Sequence, residues 1–240
     1  PERVNDALER GLRGTLHHYF GETRSFERPY KMQAFITEGE EIRKQLRGKS
    51  REERQKLFRQ LRRDNNDVFN DYGIKWLVHT REPDNSPQEK WVAFLQNIWV
   101  VSVEKVKGAP VLYEHQNLLR QNAYGNYPDL AKKVSRSPAM VEYLDLNRSR
   151  KDAPNENFAR ELFELFTLGE GNYTERDIKE AARAFTGYKS RRDTFYYNKR
   201  DWDDGEKTIF GQTGRFRGDD VIDLVFQQPA AQTFLPREMA

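Results

Sequence analysis

The sequence contains no cysteine, which excludes a disulfide framework and any chemistry that depends on a thiolate. Histidine is scarce, and no pair of histidines has the spacing of a zinc-binding motif. No apolar run approaches the roughly 18–20 residues that a membrane-spanning helix needs, so no membrane span is expected. No export signal peptide is visible. Because the first residue is Pro1 rather than methionine, we expect a processed form or a fragment, which leaves earlier removal of a signal open.

Several compact enzyme motifs are also missing from the sequence. It has no nucleophile elbow, no phosphate-binding P-loop, no dinucleotide fingerprint and no His-Glu-x-x-His motif. These absences exclude only the enzymes that depend on such local motifs.

The composition is that of a folded domain. The chain has 240 residues, 36% of them apolar, with 15 Phe, 11 Tyr and 4 Trp. The formal net charge is only +3. The most basic stretch, Arg43–Arg63, also contains Glu52 and Glu53 and is followed by Asp64, which favours a solvated helix face over a nucleic-acid surface. Nucleic acid is therefore not the expected partner.

Helical periodicity dominates the chain and predicts a mainly α fold: an irregular bundle of about nine or ten helices. Outside the region 155–188, the predicted helices are Val4–Phe20, Tyr30–Leu46, one starting at Ser50, Lys90–Val106, Pro110–Ala123, Tyr127–Val134, Ser137–Leu146, Asp219–Phe226 and Pro229–Met239. Tyr72–Thr80 is apolar and ambiguous. We expect a single helical domain over residues 1–240. An insertion over residues 191–216 is expected to form a flap or β-hairpin, with its β-like part near 195–210.

A helical hairpin is predicted at the centre of the fold. Asn155–Leu168 carries an apolar face and is closed by Gly169, and a short turn follows. Thr174-x-x-Asp177 is a capping box, which starts a second helix that runs to Gly187. A connection this short makes the two helices antiparallel neighbours.

The hairpin sequence also resembles one bacterial family, catalogued as "domain of unknown function 1800". The resemblance is carried by Pro154-Asn-Glu-Asn-Phe-Ala-Arg-Glu-Leu-Phe-Glu-Leu-Phe-Thr-Leu-Gly169, Gly171-Asn-Tyr-Thr-Glu175, Glu180-Ala-Ala-Arg183 and Phe185-Thr-Gly-Tyr188. Ser137-Pro-Ala-Met-Val-Glu-Tyr-Leu-Asp145, and Gly205-Glu-Lys-Thr208 with Gly211, are similar to the same family. The resemblance implies a helical bacterial protein, often exported, with no established activity. It also implies that this chain is the N-terminal part of a longer family domain.

The sequence departs from the family pattern at two places. Family members often carry Trp-His-Asn-His-Phe where this chain has Leu95-Gln-Asn-Ile-Trp99. They also often carry His-Asp where this chain has Asp203-Asp204. If those histidines bind a metal or move protons, this chain lacks part of that site at Gln96, Ile98 and Asp203.

The hairpin carries two carboxylate pairs at i, i+3 spacing, Glu161 with Glu164 and Asp177 with Glu180. This spacing places both members of a pair on one side of a helix. Such carboxylates are candidate catalytic groups and candidate ligands of a divalent cation, Ca²⁺ or Mg²⁺, which take oxygen ligands. No other cofactor is expected.

Ion pairing is the favoured interpretation of the same charges. In an antiparallel hairpin, the start of one helix lies opposite the end of the other. This arrangement predicts interhelical ion pairs between Glu161 and Arg183 and between Arg160 and Glu180.

Two further groups are candidate binding sites. Asn155, Glu156 and Asn157 at the helix start are typical of an N-cap, but with Arg160 and Arg183 they could also contact an anion or a sugar. The acidic turn Asp201-Trp-Asp-Asp-Gly205 is typical of a turn, yet Asp203 and Asp204 with Lys207 could serve acid/base chemistry or cation binding.

Two functional hypotheses remain. The first is a non-catalytic binding or assembly module of an exported bacterial protein, whose partner is another protein or a glycan. The second is a metal-assisted, hydrolase-like enzyme acting on a glycan or phosphorylated substrate. Its site would join Glu156, Arg160, Glu161, Glu164 and Glu180 to Asp203 and Asp204. The expected location is periplasmic or extracellular, with the cytoplasm as the alternative.

Overall fold

The computed structural model describes residues 2–46, 48–191 and 193–239. Pro1 and Ala240, the ends of the predicted domain, and Arg192 in the predicted flap lie outside the described residues. Eleven α-helices lie in the described residues: α1 (Glu2–Phe20), α2 (Tyr30–Gln45), α3 (Arg51–Arg81), α4 (Ser86–Ile98), α5 (Ala109–Gln121), α6 (Tyr127–Ser135), α7 (Pro138–Tyr143), α8 (Asn157–Glu164), α9 (Glu175–Ala184), α10 (Gly218–Phe226) and α11 (Pro229–Glu238). The predicted mainly α fold is confirmed.

Two small antiparallel hairpins form the only sheets in the described residues. Strands β1 (Tyr188–Arg191) and β2 (Thr194–Tyr197) pair, and β3 (Lys207–Ile209) pairs with β4 (Gln212–Gly214). The β3–β4 turn places Phe210 and Gly211 at φ 48° and 77°, the left-handed pair of a two-residue hairpin. The predicted β-like flap near 195–210 is confirmed.

The chain forms two compact units. The first comprises Pro1–Leu95 and Lys107–Tyr124, and the second comprises Gln96–Val106 and Gly125–Ala240. Compactness of the units does not decide whether each folds separately, so the single domain stays a prediction.

The first unit has its core around Phe26. Met32 from α2, Val68 and Tyr72 from α3, and Tyr113 from α5 are buried there. Helix α3 continues without a break through the ambiguous segment Tyr72–Thr80. It does so because Val68, Tyr72 and Trp76 follow one another at i+4 spacing and keep the same face on the core.

Helix α4 is shorter than the predicted Lys90–Val106. It begins at Ser86 and ends at Ile98. Val100, Val101 and Val103 follow, and β-branched side chains lower helix propensity because they lose χ1 freedom against the preceding turn. The prediction of helix is therefore wrong for residues 99–106.

The second unit is built on aromatic packing inside the helical hairpin. Phe158 and Phe163 from α8, Phe166 after it, and Phe185 after α9 are each at most 1% exposed. The rings of Phe158 and Phe185 meet edge to face with centroids 4.7 Å apart. The predicted central hairpin is thus confirmed, with both helices shorter than predicted.

Gly218, the first residue of α10, lies against that aromatic core. A Cβ at this position would fall 2.5 and 2.6 Å from two atoms of the Phe185 ring and would also overlap the Tyr188 hydroxyl. Both neighbours are buried and cannot move aside freely. The backbone of α10 can approach α9 this closely only because residue 218 has no side chain.

We therefore expect Gly218→Ala to lower the free energy of unfolding by about 2 kcal/mol, as overpacking of a dense core does. Urea unfolding followed by circular dichroism would measure it. Gly73→Ala is the matched control: Gly73 lies inside α3 with open space around its Cβ position. That change should raise stability by about 0.5–1 kcal/mol. Equal effects of the two substitutions would contradict the close approach.

Candidate functional site

Arg183, in the last turn of α9, is the centre of a cluster formed with Glu180 and Asp203. The Arg183 Nε–H donates to Asp203 Oδ2 at 2.6 Å, and Nη2–H donates to Oδ1 at 3.2 Å. Its Nη1–H donates to both carboxylate oxygens of Glu180, at 2.9 and 3.1 Å, and to the Glu206 carbonyl at 3.0 Å. One guanidinium thus binds two carboxylates and a loop carbonyl, as its planar fork allows.

Asp203 is held as a carboxylate by these bonds. Burial alone would raise its pKa, but the hydrogen bonds from Arg183 and from the Gly205 N–H outweigh burial and lower the pKa below its usual value. A lowered pKa is the opposite of what a general acid near neutral pH needs. Asp204, the neighbouring candidate, is exposed to solvent.

Lys207 lies beneath this ion pair and is 1% exposed. Its Nζ–H groups donate to the carbonyls of Asp203 and Gly205, at 2.7 and 2.8 Å, and so close the acidic turn from inside. Burial lowers the pKa of Lys207, and the nearby Asp203 carboxylate opposes that shift. Lys207, which the sequence analysis predicts as a ligand contact, instead binds the backbone of its own loop.

The acidic side of α9 also binds the backbone of β3 and of the turn after it. Glu180 Oε2 accepts the Thr208 N–H at 3.0 Å. Asp177 Oδ1 accepts the Phe210 N–H at 2.7 Å, while its Oδ2 accepts the Thr174 N–H at 3.0 Å in the predicted capping box. These two carboxylates therefore tie the hairpin to the flap.

Arg160 has partners other than the predicted one. It binds Glu175 in a bidentate pair at 2.8 and 2.9 Å and reaches Glu156 at 3.3 Å. The predicted pairs Arg160–Glu180 and Glu161–Arg183 are wrong. Because α8 ends at Glu164, four residues before the predicted end, Arg160 lies beside the first turn of α9 rather than its last.

The start of α8 is capped from within the chain. Asn155 Oδ1 accepts the Asn157 N–H at 2.9 Å, and the Asn155 N–H donates to Ser149 Oγ at 3.1 Å. Asn155 thus satisfies a free N–H at the start of α8 from the position before the N-cap, Glu156, whose own side chain makes no cap hydrogen bond. Contact of Asn155, Glu156 or Asn157 with a ligand stays an untested prediction.

Glu161 differs from Glu164, Asp177, Glu180 and Asp203, whose side chains all have hydrogen-bond partners. Its neighbour Glu164 accepts the Tyr173 hydroxyl at 2.8 Å. The Glu161 side chain itself is half-buried and has no hydrogen bond or ion pair to any described residue. Burial, with the nearby Glu164 charge, raises its pKa. The ionised form of Glu161 therefore opposes folding.

We expect Glu161→Gln to raise the free energy of unfolding near neutral pH by roughly 0.5 kcal/mol. The folded-state pKa lies above the unfolded one, so ionised Glu161 opposes folding at high pH and ceases to do so once both states are protonated. Urea unfolding at about pH 7 and about pH 3.5 would measure this, and the gain should vanish at the lower pH. Glu164→Gln, which weakens the Tyr173 bond, should instead lower stability. A loss of stability on Glu161→Gln at both values would show that Glu161 has a partner.

The structure brings only part of the predicted site together. Arg183 joins Glu180 to Asp203, but within the described residues no hydrogen bond or ion pair links Glu161 or Glu164 to that group. Nor does any group of three or more His, Cys, Asp or Glu in the described residues have an arrangement that could hold a metal ion. The divalent cation stays a prediction without a converging set of ligands.

Sequence reasoning missed the aromatic part of the cluster. The guanidinium of Arg217 lies 4.8 Å from the centre of the Trp202 ring, and Lys207 Nζ lies 5.6 Å from it. The sequence did contain a signal for the tryptophan, since Trp202 is the one aromatic residue within the acidic turn Asp201-Trp-Asp-Asp-Gly205. Nothing in the local sequence indicated that Arg217, fifteen positions later, would reach it.

Together these contacts define a mostly helical protein in which a helical hairpin is joined to a small β flap by four charged residues. These signature charges are Arg183, Glu180, Asp203 and Lys207. The chain belongs to the family described as "Protein of unknown function (DUF1800)", whose model matches residues 1–240. The match confirms the resemblance and extends it over the whole chain. No curated protein and no solved structure matches this chain. No helix in the described part of the chain is long and apolar enough to cross a membrane.

Proposed function

We propose that this protein is a non-catalytic binding or assembly module of an exported bacterial protein, and that its partner is another protein. The observation that carries the proposal is an exposed apolar strip on α3. Ile74, Leu77 and Val78 are 64%, 60% and 57% exposed. Their i, i+3, i+4 spacing places them together on one side of the helix.

The chemistry of the strip favours a protein over a glycan. Its three side chains are aliphatic and offer no hydrogen bonds, whereas a sugar presents hydroxyls that need partners. Contiguous exposed aliphatic side chains are typical of surfaces that another protein covers. The glycan alternative has no comparable surface in its favour.

The state of the signature charges supports a non-catalytic role. Arg183, Glu180, Asp203 and Lys207 satisfy one another and the backbone around them, so none is left for a substrate. Catalytic groups usually carry pKa values moved toward the working pH, and the Asp203 pKa is moved away from it.

A photo-cross-linking amino acid placed at Leu77 in the native bacterium would test the proposal. We expect one discrete cross-linked protein, whose purified form binds this chain and fails to bind Leu77→Asp. Gln60 is the matched control position, because it is also exposed and lies 17 residues earlier in α3, about 25 Å away. Cross-linking at Leu77 no stronger than at Gln60 would contradict the proposal.

One observation favours the metal-assisted hydrolase as a second candidate. The Glu161 carboxylate is unpaired among the described residues, and its pKa is raised beside Glu164. Thermal-shift measurements with Ca²⁺, Mg²⁺, Mn²⁺ and Zn²⁺ would test it, since a cation bound only by the native state must raise its stability. A shift with one cation that disappears in Glu161→Gln would favour the enzyme. Absence of a shift with all four would count against it.

A further inference from the structure

A cavity of about 530 Å³ lies in the first unit, between the end of α1 and the turn that joins α3 to α4. This volume is within the range of small-molecule sites, about 300–1,000 Å³. The cavity is lined by two aromatic rings, two prolines and two cationic side chains: Tyr19, Phe20, Pro83, Pro87, Arg81 and Lys90. It therefore combines an apolar wall with positive charge.

The walls of this cavity are held in place by the fold. Gln88 of α4, which is 1% exposed, binds the chain just after α1. Its Oε1 accepts the Arg24 N–H at 2.6 Å, and its Nε2–H donates to the Arg24 carbonyl at 2.7 Å. The Tyr19 carbonyl accepts the Tyr124 hydroxyl at 3.2 Å, and the Phe20 ring meets the Tyr124 ring edge to face with centroids 5.5 Å apart. The cavity is thus formed before a ligand arrives, as small-molecule sites usually are.

The positive charge of the cavity has no counter-charge among the described residues that line it. Arg81 and Lys90 are exposed, and their side chains have no hydrogen bond or ion pair to any described residue. Glu82 and Asp84 lie in the same turn, but neither lines the cavity. Asp84 Oδ1 lies instead 3.5 Å from His18 Nε2. An anionic group is therefore the complementary partner of the two cations.

We propose that this cavity binds a small aromatic oxyanion, in which a carboxylate or phosphate group is attached to an aromatic ring. The ring would pack against Tyr19, Phe20 and the two prolines, because aromatic rings favour offset or edge-to-face contacts with one another. The Arg81 guanidinium matches two oxygens of a carboxylate or phosphate with its planar fork, and Lys90 supplies a second positive charge. The Ser86 hydroxyl, which also lines the cavity, adds a hydrogen-bonding group.

The lining of the cavity disfavours two other classes of ligand. An inorganic anion would leave the aromatic and proline walls without a contact, and a neutral sugar would leave both cations without a counter-charge. Only a ligand with both an apolar ring and a negative group uses the whole lining. The inference goes beyond the proposed protein partner, since it assigns a small molecule to a cavity and not a protein to the α3 strip.

An NMR titration of the full chain, followed through its backbone amide signals, provides the test. The probes are 3-phenylpropionate and phenyl phosphate, and the tighter of the two identifies the charged group. We expect at least one to shift the amide signals of the cavity walls with a dissociation constant of about 1 mM or lower, as its size allows. The neutral 3-phenylpropionamide, acetate and inorganic phosphate each lack the charge or the ring, so each should bind at least about tenfold more weakly.

Two double variants show whether the cavity cations hold the probe. Arg81→Gln with Lys90→Gln should raise the dissociation constant of the oxyanion at least about tenfold. Arg59→Gln with Arg63→Gln is the matched control, because it also removes two exposed cations of the first unit that have no ion pair among the described residues. It should leave the dissociation constant within about twofold of the wild-type value. Circular dichroism would confirm that both variants are folded.

Three results would overturn the proposal. The first is the absence of a saturable shift with either oxyanion. The second is a shift confined to residues outside the cavity. The third is equal weakening by the two double variants, which would show that the net charge of the chain, and not the cavity, attracts the probe. No partner protein takes part in this titration, so its failure is distinguishable from failure of the cross-linking experiment at Leu77.

Discussion

Arg120→Leu is expected to lower the free energy of unfolding by about 3–5 kcal/mol, because it would leave Glu89 charged and unpaired in the interior of the first unit. Arg120 and Glu89 side chains are 0% and 1% exposed. The guanidinium donates to the two carboxylate oxygens at 2.6 and 2.9 Å. The stranded carboxylate would therefore be almost fully shielded from water.

The other neighbours of Glu89 replace the arginine only in part. The Trp76 indole N–H donates to Glu89 Oε2 at 2.7 Å but carries no charge. Burial alone would raise the pKa of Glu89, and the hydrogen bonds and charge of Arg120 outweigh it and lower the pKa. Removing Arg120 leaves only the Trp76 hydrogen bond and the nearby His79, whose Nε2 lies 3.5 Å from Glu89 Oε1, to oppose the effect of burial. Ionised Glu89 would then oppose folding.

Urea unfolding followed by circular dichroism would measure the loss. The matched control is the double variant Arg120→Leu with Glu89→Leu, which removes both charges. It should recover most of the stability, because replacing a buried pair by apolar groups is often neutral. A double variant no more stable than the single one would indicate that packing, and not the stranded charge, causes the loss.

Arg183→Met should lower the free energy of unfolding by about 2–3 kcal/mol, less than Arg120→Leu because the pair is partly solvated. The Arg183 and Asp203 side chains are 28% and 15% exposed. The change would strand the carboxylates of Glu180 and Asp203 and release the Glu206 carbonyl. Urea unfolding would again measure it.

Arg160→Met is the control within the same hairpin. Arg160 also binds two carboxylates, but its main partner Glu175 is 65% exposed. Exposed pairs contribute little, so this change should cost less than about 1 kcal/mol. Equal losses for the two arginines would contradict the importance of the Arg183 cluster.

The Arg183 effect should also depend on pH. The Asp203 pKa is lowered in the folded state, so ionised Asp203 stabilises the fold above its unfolded pKa, near 3.8. That contribution is lost as the pH falls through the lower folded value. The stability gap between wild type and Arg183→Met should therefore narrow below about pH 4.

Much of the fold could be predicted because its causes are local. The Thr174–Asp177 and Ser50–Glu53 capping boxes both form as the sequence indicates. Gly169 ends the first arm of the hairpin at φ 78°, a conformation that glycine adopts without strain. Apolar periodicity located most helices to within a few residues.

The partners of the charged side chains could not be predicted, because they depend on tertiary distances. Helix spacing alone could not predict that Arg183 would bind Asp203, which lies twenty positions later in an irregular loop. The loop can approach because residue 205 is glycine: a Cβ there would lie 2.9 Å from Arg183 Nη2. The burial of Lys207 could not be predicted from the sequence either, since a lysine in an acidic turn is ordinarily solvated.

A double-mutant cycle between Arg183 and Asp203 tests most directly whether the signature charges are structural. Urea unfolding of Arg183→Met, Asp203→Asn and the double variant gives their coupling free energy. If this pair holds the hairpin to the flap, the coupling should be about 1.5–3 kcal/mol. A coupling near zero, with both single variants as stable as wild type, would contradict a structural role and return Arg183 and Asp203 to the candidates for function.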